Sequence, residues 1–80
     1  MKALNRLNNY LDDNEFKITI YEDEKVDIVN YDSIIDFNLK EVIVSVNNKK
    51  VIIEGINLTI NKMLDNEVLI TGLISSVRIN

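Results

Sequence analysis

The side chains that could do acid–base or metal chemistry in this chain of 80 residues are its 13 carboxylates. Glu54 has the most suggestive surroundings. It stands between Ile53 and Gly55 in the most apolar stretch of the sequence. A carboxyl buried there would hold its proton more tightly and could serve as a general acid or base. Asp36 or Glu67 would then be the second carboxylate of a hydrolase. The competing reading makes Glu54 an ordinary strand residue that points out of a sheet or answers a lysine on a neighbouring strand. A second copy of the same local pattern carries Thr71 at this place, so the frame does not demand an acid. The structural reading is preferred.

The remaining clusters are weaker. Glu22-Asp23-Glu24 with Asp27 lacks the central glycine and terminal glutamate of a calcium loop, and reads as a solvated turn. Asp12-Asp13-Asn14-Glu15 reads the same way. The chain has no His and no Cys, which removes histidine-based triads, thiol nucleophiles and the common zinc ligand sets. Lys40 and Lys49-Lys50 have no aromatic platform beside them, and the net charge is −4. That balance disfavours nucleic-acid backbones and anionic lipid surfaces. Two isolated glycines cannot make a phosphate cradle. No catalytic, cofactor-binding or metal-binding residue is assigned, no cofactor is expected, and the chain is read as not an enzyme.

The elements around these residues are short and mostly extended. Leu4, Leu7 and Leu11 share one helical face, so residues 1–15 form a short helix or a loose tail, with Tyr10 as a further contact. Residues 16–80 form a single β domain. Apolar alternation marks strands at 16–21, 26–29 and 34–37, with Val26 and Ile28 inward, and a run rich in β-branched residues marks another at 42–46. Asn47-Asn48-Lys49-Lys50 is read as the connector to a strand over 51–55, with further alternation through Ile56, Leu58 and Ile60. Residues 68–79 are read as the last and longest segment. Short polar turns favour antiparallel neighbours. The fold class is therefore all-β: a small antiparallel β-sandwich-like domain of six to eight short strands.

One pattern occurs twice, seventeen residues apart: Val51-Ile52-Ile53-Glu54-Gly55-Ile56 and Val68-Leu69-Ile70-Thr71-Gly72-Leu73. The copies hold both glycines of the chain. They could be rungs of a solenoid or two similar strands of one sandwich. The second is preferred, because solenoids need more repeats than two. In either case a glycine inside a strand pattern marks a bulge, a bend or a close backbone approach.

A chain this short buries a small fraction of its surface and usually needs a staple. Disulfides and the usual zinc sites are excluded by composition, so self-association is expected, as a homodimer or larger homo-oligomer. The polar N-terminus is no signal sequence, and no apolar run matches a membrane-spanning helix. A cytoplasmic protein without direct membrane insertion is expected.

The spacing Val26-x-Ile28-x-Asn30-Tyr31-x-x-Ile34-x-x-Phe37, then Val42-x-Val44-x-Val46, Ile53-x-Gly55-x-x-Leu58-x-Ile60 and Leu69-Ile70-x-Gly72-x-Ile74-x-x-Val77, resembles the YabP/YqfC family of sporulation proteins. It looks closer to the YqfC side. The resemblance implies a non-catalytic protein of spore coat or cortex assembly on the mother-cell side, with a sporulation membrane protein as a possible partner. The rival reading from the residues is a small β-module that binds a peptide or an apolar ligand.

Overall fold

The computed structural model describes residues 15–80, so the helix expected within residues 1–15 falls almost wholly outside the described residues. Six strands follow one another: β1 (Lys17–Tyr21), β2 (Lys25–Val29), β3 (Ser33–Phe37), β4 (Glu41–Val46), β5 (Lys49–Met63) and β6 (Glu67–Ile79). They form one antiparallel sheet in the order β1-β2-β6-β5-β4-β3. The all-β expectation holds, with six strands. The strand expected over 51–55 and the alternation that follows it are one strand of 15 residues, and β5, not the last segment, is the longest.

The β5–β6 hairpin is the spine of the sheet. Its start and its end are paired with different strands: β4 lies on the first part of β5, and β2 on the first part of β6. A straight strand of that length would run about 46 Å, yet the longest dimension of the molecule is 40 Å. The connector from β2 to β3 is the decisive restraint. Val29 pairs with Glu67 near the closed end of the spine, and Ser33 pairs with Ser45 near its open end. Four residue steps span at most about 14 Å. The spine must therefore bend back on itself, and the sheet curls into two facing half-sheets.

The bend falls where the ladder of β5 and β6 loses register. Shifts occur between Glu54 and Gly55, between Ile56 and Thr59, and between Ile60 and Lys62. Each inserts an unmatched residue and increases local twist. Gly55 is required by close approach: a Cβ there would stand 2.1 Å from the Leu73 carbonyl oxygen. Gly72 is required twice over, by a φ of +142° and by the Asn57 carbonyl oxygen 2.8 Å from where a Cβ would be. Asn57 itself takes a φ of 54°, a region that asparagine tolerates better than most residues.

Val26, Ile28, Val68 and Ile70 from one half-sheet join Val42, Val44, Val46, Val51 and Ile53 from the other in a single buried cluster, closed by Leu58 and Ile74 at the bend. Nearly all are β-branched, which suits side chains standing on a pleated surface. The turns are short for stated reasons. Asn47 and Asn48 both take positive φ, 45° and 64°, as a two-residue hairpin turn of the I′ kind requires. Lys49 and Lys50, expected in that connector, instead begin β5 opposite Val46 and Ser45. Asn38 Oδ1 accepts from the amides of Lys40 and Glu41, at 2.8 and 2.9 Å, and so folds the β3–β4 turn.

Candidate functional site

The structure sorts the carboxylates differently from the sequence. Glu54 lies on the outer face of β5, opposite Glu41 on one side and Ser76 on the other. Its Oε1 accepts from Ser76 Oγ at 3.0 Å and stands 3.6 Å from Arg78 Nη2. Both charged side chains are about half open to water, 44% for Glu54 and 57% for Arg78, so this pair is a weak surface contact. It is the strand residue answering a cation across the ladder, with arginine in place of lysine. Asp36 and Glu67 do not join it. The Asp36 carboxylate accepts from the Phe37 amide at 2.9 Å on strand β3. Glu67 sits at the far end of the spine, opposite Val29.

Glu67 instead meets Asp27. The two come from neighbouring strands on the outer face of the first half-sheet and share a hydrogen bond. Partial burial, followed by the bond to Glu67 and its charge, pushes the Asp27 carboxyl from 3.8 up to about 6, while Lys17 pulls the other way. This pair lines a depression of about 410 Å³ together with Tyr21, Lys25, Lys62, Leu64 and Leu69. Sequence reading grouped Asp27 with the turn acids Glu22, Asp23 and Glu24. The alternation that placed Val26 and Ile28 inward already put Asp27 on the opposite face. Its partner could be found only from the β2–β6 pairing, which links strands nearly forty residues apart in the chain.

The turn acids work through their backbone. The carbonyls of Glu24 and Asp23 accept from the amides of Gly72 and Ile74, at 3.1 and 2.7 Å, which docks the β1–β2 turn on the bend. The β3–β4 turn does the same on the other side, where the carbonyls of Lys40 and Leu39 accept from Gly55 and Leu58 at 3.0 and 2.9 Å. The Asn30-Tyr31 element has a matching structural duty. The Asn30 amide donates to the Asn66 carbonyl, the Tyr31 hydroxyl to the Leu64 carbonyl at 2.9 Å, and the Asp32 amide to the Ser45 carbonyl at 2.8 Å. The connector is thereby stitched to both half-sheets.

Among the described residues no group of three or more Asp and Glu side chains is placed to hold a metal ion, and no helix is long and apolar enough to cross a membrane. The fold and site define a small curled-sheet β protein whose distinctive residues shape the bend and the connector. The chain belongs to the YabP family, whose model matches residues 12–80; it is a family of sporulation proteins. The match takes in Asn30-Tyr31 and both glycines. No curated protein and no solved structure matches.

Proposed function

We propose that this protein is a non-catalytic component of sporulation that acts in spore coat or cortex assembly, from the cytoplasm on the mother-cell side, by associating with itself and with a protein partner such as a sporulation membrane protein. The observation that carries this reading is the family match over residues 12–80. The placement of the motif residues supports it. Gly55, Gly72, Asn30 and Tyr31 hold the sheet in shape. Light scattering of the full chain, up to roughly 100 µM to allow for a small and therefore weak contact, tests the association. A mass of at least two chains is expected, and a monomer throughout the range would overturn self-association.

The depression at Asp27 and Glu67 favours a second reading, a small β-module that binds a peptide or an apolar ligand. It lies on the outer face and not between the half-sheets, and Leu64, Leu69 and Tyr21 line it beside two lysines and the two carboxyls. A thermal shift with a peptide or apolar probe that Leu69→Lys removes would support this alternative.

A further inference from the structure

Among the described residues the sheet has two edges, β1 and β3, and they are not alike. Strand β3 is blunted. Its ladder to β4 shifts register between Ile34 and Asp36, and its Phe37 amide is already taken by the Asp36 carboxylate at 2.9 Å. A bulge is one way proteins close an edge, and an edge amide already bonded within its own strand is no longer offered to another chain. Strand β1 has neither device. It pairs with β2 without a register shift, from Lys17 opposite Val29 to Tyr21 opposite Lys25.

The direction of its free backbone groups follows from one bond. The Tyr21 carbonyl accepts from the Glu24 amide at 3.1 Å, so Tyr21 faces into its own hairpin. In an antiparallel ladder the facing alternates by residue. Thr19 and Lys17 therefore also face β2, while the N–H and C=O groups of Ile18 and Ile20 face outward. The side chains alternate too. Ile18 packs against the core, and Ile20 on the same face is 53% exposed at the sheet margin.

We propose that β1 is the docking edge for a second copy of this chain, the two β1 strands pairing antiparallel about a twofold axis at Thr19. This rests on the self-association reading above and names its surface. The register is self-complementary. Ile18 of each copy falls opposite Ile20 of the other, so their outward N–H and C=O groups exchange four hydrogen bonds. The exposed flank of Ile20 is covered by the other copy's Ile18 on the inner face. On the outer face Lys17 falls opposite Tyr21, a cation beside an aromatic ring, and Thr19 meets Thr19. No like charges are opposed within the strand, a mismatch that would cost stability. The result is one sheet continuous through two molecules.

The chain has no cysteine, so a single introduced thiol reports on one position. Thr19 of the two copies would form a non-hydrogen-bonded pair with Cα atoms about 4.5 Å apart, within the range a disulfide spans. Under mild oxidation Thr19→Cys is expected to give a covalent dimer at least about tenfold faster than Ile35→Cys on the blunted edge, because pairing raises the local thiol concentration. Thr19→Lys puts two positive charges on the axis and should weaken the dimer about tenfold in sedimentation equilibrium, with its circular dichroism unchanged. If the wild-type chain is a dimer but Thr19→Cys links no faster than Ile35→Cys, or Thr19→Lys leaves the dimer intact, the β1 edge is overturned and self-association stands. A monomeric wild-type chain overturns both.

Discussion

The two half-sheets are built on one plan and finished differently. Val26 opposite Ile70 and Ile28 opposite Val68 in the first half correspond to Val42 opposite Ile53 and Val44 opposite Val51 in the second. The spine repeats the relation, with Ile70 opposite Ile60 matching Ile53 opposite Val77. Each half docks its hairpin turn on the bend through one glycine amide, Gly72 to the Glu24 carbonyl and Gly55 to the Lys40 carbonyl. The two copies seen in the sequence are thus equivalent places about a pseudo-twofold axis through the bend. The outer faces break the likeness. Where the first half carries Asp27, Leu69 and Glu67, the second carries Ile43, Ile52 and Lys50. A shared interior with divergent exteriors separates what the fold needs from what is free to serve binding.

The glycines give the largest test of that equivalence. Gly55→Ala drives a methyl group into a backbone oxygen that cannot move without opening the spine, and should cost about 4 kcal/mol or more in urea denaturation. Gly72→Ala meets a longer contact but a φ that side chains rarely adopt, and should cost about 3 kcal/mol. Were either substitution neutral, the bend would not depend on that glycine, and the pairing of the two copies would lose its physical basis.

The acid pair sharpens the difference between the outer faces. The Asp27 carboxyl is raised from 3.8 to about 6 in the folded chain. Between those values the unfolded chain has lost a proton that the folded chain keeps, so stability falls as pH rises through this window and levels off above it. The full shift corresponds to about 3 kcal/mol; with the pair half open to water an effect on the order of 1 kcal/mol is expected. Asp27→Asn should flatten the profile between pH 4 and 6 and stabilise the protein at pH 7. A profile that keeps its slope in the variant would place the titration elsewhere. The smallest effect belongs to the surface ion pair of the second half. Glu54→Gln loses an exposed ion pair to Arg78 and should change stability by less than about 0.5 kcal/mol.

Much of this was legible from sequence because the rules involved are local. Strand alternation places Val26 and Ile28 inward, the β-branched run locates the strand over 42–46, and the glycine interruptions mark the bend. The Asn47-Asn48 turn was located but drawn too long, because Lys49 and Lys50 are polar residues on the exposed end of a strand. The alternation through Ile56, Leu58 and Ile60 does not give one face, because the register shift between Ile56 and Thr59 leaves Ile56 exposed and Leu58 buried. The Asp27–Glu67 pair and the blunting of β3 depend on which strands become neighbours. No local pattern carries that information, so the sequence pointed at Glu54 when the perturbed carboxyl was Asp27.

Under the proposed function this protein works by its shape and its contacts, not by its acids. A chain carrying Asp27→Asn, Glu54→Gln and Glu67→Gln together keeps the glycines, the connector and the β1 edge while removing the Asp27–Glu67 pair and the carboxyl of Glu54. Expressed in an endospore-forming host that lacks the native gene, it should restore heat-resistant spores to the level of the wild-type chain. Failure to do so, with the variant folded and present at wild-type amounts, would contradict the account.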